Sequence, residues 1–471
     1  MADPSAEAQT ARPAELPKVL RPLHLWAIAV GLVISGDYFG WNYGLAKAGP
    51  VGMAIAVAVV TVMYVCFIFS YTELTTAIPH SGGPYAYARR ALGPVFGLIA
   101  GIATLIEFLF APPAIALAIG SYIHFRAPVL GKIPVAIAVY VLFAALNCYG
   151  VALAATFELW VTALAVFELL VYFGITGPHI ALHNLLARPL LPFGWGGVLA
   201  AVPFAIWFYL ALEGVAMSAE EVKDPQRDIP RGFTAGLITL VLLAGATLVC
   251  TAGVLPWPEL VKDDSPLPHA MAAVLSPQHW LTHMMIYIGL FGLLASFHGI
   301  MMGYSRQVFA LARAGYLPPL LAYLHPRRRT PIFAVTLPAL LGIGVVVTGK
   351  TDAAITLSVL GAVLLYILSL VSLFVLRRSE PDMPRPFRAP LYPLCPAIAL
   401  VLAVLCLVAL LRSEGLILGV ALLLFALGLG YYYLSARANL AADVQRAMAL
   451  QHQQGAAAIN YGEAPVLAPA P

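Results

Sequence analysis

Twelve apolar blocks, each long enough to cross a lipid bilayer as a helix, follow one another along this chain and leave little choice of fold. They run roughly over 24–48, 52–76, 95–124, 133–152, 156–177, 197–219, 232–255, 283–312, 331–348, 353–376, 394–411 and 415–434. About 20 apolar residues in a helix span the hydrocarbon core. The stretch 53–69 carries no charged residue at all. The blocks are continuous, whereas the strands of a membrane barrel alternate with period two. Composition agrees: 61% of the 471 residues are hydrophobic and 10% are charged, against about 25% charged in a soluble chain. A soluble enzyme, a nucleic-acid binder and a disordered scaffold are excluded. The expected fold is an all-α polytopic membrane protein with twelve transmembrane helices.

Lysine and arginine set the orientation. With the N-terminus inside, 19 of the 26 fall in cytoplasmic loops and tails and 7 outside. Both termini are therefore expected in the cytoplasm of a cell whose cytoplasmic or inner membrane holds the protein. Residues 1–22 and 435–471 read as polar tails and 23–434 as the membrane domain. No cleavable leader is expected at the N-terminus, because the first apolar block is long and broken by glycines. The five cysteines sit in or beside apolar blocks without a CxxC spacing, so neither a disulfide framework nor a metal site is expected.

Spans 1 and 6 depart from plain anchors. Span 1 contains Ser35-Gly36-Asp37-Tyr38-Phe39-Gly40-Trp41, and span 6 contains Trp207-Phe208-Tyr209-Leu210-Ala211-Leu212-Glu213-Gly214. Two interrupted spans five positions apart predict an inverted repeat of five plus five, about 24–177 and 197–376, with 394–434 as two added helices. In such folds the broken helices meet at the bilayer midplane and hold the substrate. A carboxylate at midbilayer costs at least about 2.5 kcal/mol. This chain nevertheless places Asp37, Glu107, Glu158, Glu168 and Glu213 in or near spans, almost without membrane lysine or arginine to balance them. That pattern points to a cationic substrate, to protons, or to both. Aromatic faces around the breaks would attract an ammonium group. Gly344, Gly349, Lys350 and Thr351 fit the phosphate-loop spacing, but they close span 9 with no nucleotide-binding domain around them. Neither a nucleotide nor any other cofactor is expected.

Three longer motifs carry a resemblance. The first is Tyr71-Thr-Glu73-Leu-Thr-Thr-Ala-Ile-Pro79-His-Ser81-Gly82-Gly83-Pro-Tyr85-Ala-Tyr87. The second is Ala219-Glu220-Glu221-Val-Lys223-Asp224-Pro225-Gln-Arg227-Asp228-Ile-Pro230-Arg231, after Glu213. The third is Ser305-Arg306 to Pro318, followed by His325-Pro326 and Thr330-Pro331. In this order they resemble amino acid–polyamine–organocation permeases over about 20–435. Many members carry a glycine-rich break in span 1 whose free N–H groups bind a carboxylate. Asp37 departs from that, and Ile34 to Gly44 with Glu107 to Gly120 is closer to the ethanolamine permeases of the superfamily. An acid there would repel an amino acid's carboxylate and attract an amine.

The resemblance implies a carrier that imports ethanolamine, a small cationic amino alcohol, by alternating access. It implies that Trp207 closes over the substrate and that Glu213 takes part in a proton response. The candidate substrate residues are Ser35, Gly36, Asp37, Tyr38, Phe39, Glu107, Trp207, Tyr209 and Ala211. Glu213, Glu168 and His298 are the proton-coupling candidates, and Glu73, Arg89 and Arg90 are expected at a cytoplasmic gate or loop. Relatives with a lysine in span 5 have no counterpart here, so the coupling ion stays open. Pro112 and Pro113 are expected to kink span 3. The rival carrier is a polyamine or cationic amino acid permease, and the rival class is a non-transporting amine sensor on the same fold.

Overall fold

The computed structural model describes residues 18–80, 82–150, 155–261, 264–328, 330–412 and 415–437. The expected tails beyond those limits, and Ser81, Lys262 and Arg329, lie outside the described residues. Among the described residues the secondary structure is helical, with a single isolated pairing of extended residues, Leu20 with Val222. Nine helical segments among the described residues are long and apolar enough to cross a membrane. Ile332–Thr348 and Leu394–Leu410 are shorter apolar helices, and the broken first span completes the expected twelve.

The breaks fall where the sequence placed them. Span 1 is helical over Pro22–Val33 and Ser35–Tyr38 and then extended at Phe39. Helix resumes at Asn42–Ala77, which joins spans 1 and 2 through one turn at Gly49–Pro50. Gly49 sits at φ 69°, a conformation glycine adopts without strain, and Pro50 has no N–H to continue the ladder. Span 6 is helical over Gly194–Trp207, turns through 208–211, and continues as a tighter helix over Leu212–Glu221. Ala211 ends the turn at φ 75°, a left-handed conformation unusual outside glycine.

Two expectations concern local helix structure. Span 3, Pro94–Arg126, carries Pro112 and Pro113 inside one continuous helix. Span 10 lies tight against it, since a side chain at Gly361 would strike the Ala103 carbonyl and the Glu107 nitrogen. The phosphate-loop spacing is a coincidence: residues 344–348 are the last turns of Ile332–Thr348, not a loop after a strand.

Burial sorts the helices. Spans 3 and 6 are 89% buried over their most apolar windows, whereas Lys132–Tyr149 is 11% and the last span 17% buried. Apolar side chains such as Leu242, Leu340 and Leu422 point outward, as they must where the surrounding solvent is hydrocarbon. The core is thus built around spans 1, 3, 6, 8 and 10, and the polar exceptions inside it mark the site.

Ionic clamps hold the arginine-rich face. Glu73 is fully buried and accepts from Arg377 Nε and Nη2, both at 2.6 Å, and from the Ala389 N–H at 2.7 Å. Arg385 Nε lies 3.4 Å from the same carboxylate. Arg90 pairs with Glu380 at 2.6 Å. Arg89 instead donates to the Tyr85 hydroxyl at 2.7 Å and lies 5.8 Å from the Tyr316 ring centre. On the opposite face Tyr43 and Thr351 donate to Asp264 at 2.6 and 2.9 Å, and Asn42 donates to the Leu260 carbonyl at 2.8 Å. These contacts tie the ends of spans 1 and 10 to the loop after span 7.

Candidate functional site

Breaking a helix in hydrocarbon frees backbone carbonyls that must find donors. At the span 1 break three consecutive carbonyls find aromatic ones. Trp41 Nε1 donates to the Asp37 carbonyl at 3.2 Å, the Tyr122 hydroxyl to Tyr38 at 3.0 Å, and Trp207 Nε1 to Phe39 at 3.0 Å. The Gly40 N–H is taken by Asn42 Oδ1 at 2.9 Å. These donors explain why tryptophan and tyrosine crowd the break.

The two breaks touch directly. A side chain on Gly36 would come within 2.4 Å of the Trp207 carbonyl, so only glycine allows this approach. Trp207 also packs edge-on to Phe39, with ring centres 5.5 Å apart, and Phe208 stacks on Trp41 at 5.7 Å. Ser35 links span 1 to span 8 through Ser296 at 2.9 Å, and Ser296 also donates to the Leu32 carbonyl at 2.7 Å.

The five acids have separate fates. Asp37 is 0% exposed, and neither carboxylate oxygen has a hydrogen-bond partner among the described residues. Glu168 accepts from the Tyr38 hydroxyl at 2.7 Å. Glu107 and Glu213 are both buried; neither Glu107 oxygen has a hydrogen-bond partner among the described residues, whereas the Tyr366 hydroxyl donates to Glu213 at 3.3 Å. Tyr366 is itself hydrogen-bonded to the Tyr64 hydroxyl. Glu158 lies apart from the breaks, on the wall of a cavity toward the arginine-rich face. Sequence alone treats the five as equally unpaired; the structure gives Glu168 and Glu213 tyrosine donors.

Other candidates are also placed. Tyr209 turns its hydroxyl to Thr61 on span 2 at 2.6 Å and packs on the Tyr64 ring at 5.0 Å. Ala211 shapes the span 6 turn through its backbone, its carbonyl accepting from the Gly214 N–H at 3.0 Å. His298 is held by Asn147, 3.2 Å from Nδ1. Glu73, Arg89 and Arg90 belong to the clamps of the arginine-rich face rather than to the breaks. Sequence reasoning passed over Tyr122, Ser296, Tyr64, Tyr366 and Arg377. The hydroxyls among them had a signal available, because a polar tip inside an apolar span needs a partner.

A helical bundle with two facing helix breaks and an unpaired acid at their junction has the form of a multi-pass membrane permease. Residues 20–432 match the family described as amino acid permease. An uncharacterized transporter of Rhizobium meliloti (strain 1021) is 30% identical over 83% of this chain and 85% of its own length. The branched-chain amino acid permease BcaP of Bacillus subtilis (strain 168) is 26% identical over 91% of this chain and 95% of its own. A vacuolar cationic amino acid transporter of Arabidopsis thaliana is 26% identical over 68% of this chain and 56% of its own. The chain belongs to the amino acid permease family.

Proposed function

We propose that this permease carries a small primary ammonium compound, with ethanolamine as the best-fitting substrate, and that Asp37 is its counter-charge. One observation carries the reading: a carboxylate buried at the contact of the two breaks with no donor of its own. A buried charge without a partner is costly, and an ammonium ion supplies both charge and hydrogen bonds. The aromatic rings of Phe39 and Trp207, which pack on each other at the same break, suit a cation. Ser35, Gly36, Tyr38, Glu107, Tyr209 and Ala211 complete the wall in this reading. Tyr209 and Ala211 act through shape and backbone, since the Tyr209 hydroxyl is already engaged. The five-plus-five repeat over 24–177 and 197–376 supplies the two rocking halves. The arginine-rich face is the cytoplasmic one, and the cytoplasmic membrane of the cell is the host bilayer.

Glu213 is the proposed proton-sensitive group, with Glu168 second and His298 third. It faces Glu107 on span 3, Tyr366 on span 10, and Tyr64 and Tyr71 on span 2. Two buried acids on spans 3 and 6 cannot both hold a charge at low cost, so one of them takes up or gives up a proton as the halves move.

A second reading, a cationic amino acid permease, is favoured by the names of some similar chains. Uptake into proteoliposomes separates the two. Labelled ethanolamine is offered with unlabelled ethanolamine, putrescine, arginine, leucine or alanine, with and without a proton gradient. Competition by ethanolamine above all supports the first reading. Uptake of labelled arginine in a parallel assay, with no uptake of ethanolamine, supports the second.

A further inference from the structure

A cavity of about 200 Å³ lies between spans 1, 3, 5, 6 and 8, toward the arginine-rich face. Asp37, Tyr38 and Trp207 do not line it, so it is separate from the junction of the breaks. Its charged wall consists of Glu158, Glu221 and Arg306. Arg306 is engaged with Glu221 at 3.4 Å. Glu158 sits against span 1 at Gly31 and forms no ion pair within 4 Å among the described residues. The lining therefore carries one carboxyl with no ion-pair partner within 4 Å, and Phe108 lines the same cavity.

His298 supplies a second polar feature. It is 3% exposed, lines the same cavity, and its Nε2 has no partner among the described residues. Asn147 Nδ2 donates to the Phe143 carbonyl at 2.8 Å and has its other hydrogen for His298 Nδ1 at 3.2 Å. With Nδ1 accepting, a neutral imidazole carries its hydrogen on Nε2 and presents an unused donor.

We propose that this cavity is a second binding site for a small amino alcohol, its ammonium group on Glu158 and its hydroxyl oxygen accepting from His298 Nε2. The ligand class rests on the reading given for the central site; the two sites are physically separate. The cavity would hold substrate between the central site and the arginine-rich face. The pairing of residues 19–20 with 221–223 borders it on the side of that face.

Saturation binding of labelled ethanolamine to the purified full-length protein tests this, with folding followed by melting temperature. The parent should bind about two equivalents. Glu158→Gln should weaken one component tenfold or more, and Glu158→Asp should restore part of it. Asp37→Asn should remove the other component. His298→Phe should weaken ethanolamine several-fold at the Glu158-dependent component while leaving ethylamine, which has no hydroxyl, unchanged. An isotherm that a folded Glu158→Gln variant leaves unaltered overturns the proposal, whatever Asp37→Asn does. So does a His298→Phe variant that weakens both amines alike. A single component lost with Glu158→Gln but kept in Asp37→Asn upholds the cavity and refutes the central reading. No saturable binding in the parent refutes both.

Discussion

Replacing Asp37 by asparagine should move affinity and stability in different directions. The side chain is sealed from solvent and engages no donor among the described residues. The empty protein therefore gains nothing from its charge. A neutral amide of nearly the same shape should cost no stability, and the melting temperature should hold or rise. Substrate binding should suffer, because a charge-assisted hydrogen bond contributes about 1.5 to 3 kcal/mol. That range corresponds to a loss of about tenfold to 150-fold in affinity. Saturation binding at the central component and a thermal melt, on the same purified sample, read both quantities. If the acid were a strut for the broken helix, the signs would reverse: the variant would melt several degrees lower and the folded fraction would bind as before. Parental affinity in a correctly folded Asp37→Asn protein would refute the assignment.

Trp207→Leu should weaken amine binding by about 1 kcal/mol, roughly fivefold, and Trp207→Phe by less; equal affinity in both variants and the parent would leave the indole a packing group only. Glu73→Gln should destabilise the protein by about 3 to 5 kcal/mol, since Arg377 and Arg385 would lose a buried partner, and a chemical or thermal melt reads this directly. With membrane potential clamped, uptake by the parent should follow the proton gradient, and Glu213→Gln should flatten that dependence. Uptake that tracks potential alone, with an unchanged profile in the Gln variant, would establish uniport.

Much of the architecture was legible because the bilayer penalises irregularity. A glycine, an acid and an aromatic cluster inside an apolar run stand out, and both breaks fall within the quoted heptads and octads of sequence. What the sequence could not show was pairing across long separations. Glu73 and Arg377 are 304 residues apart, and Arg377 reads locally as one more positive charge marking the inner face. The same holds for Tyr38 with Glu168 and for Ser35 with Ser296: each is an isolated polar residue until the helices assemble. Which of the five acids lack a donor was hidden for the same reason, since hydroxyls on other spans supply Glu168 and Glu213 but neither Asp37 nor Glu107.

The short pairing of Leu20 with Val222 has a mechanical consequence. Val19 and Leu20 donate to the Glu221 carbonyl at 2.9 and 3.0 Å, and Lys223 donates back to Leu20 at 3.0 Å. This stitch joins the chain just before Pro22–Val33 to the chain just after Leu212–Glu221, the two half-helices that lead from the breaks to the arginine-rich face. While it holds, neither half can tilt alone; they form one lever whose fulcrum is the contact between Gly36 and Trp207. Opening that face then has two gaits, a joint swing with the stitch intact or an independent swing of the first half after three backbone hydrogen bonds are lost. Only the joint swing carries the span 6 turn, and Glu213 with it, along with Asp37.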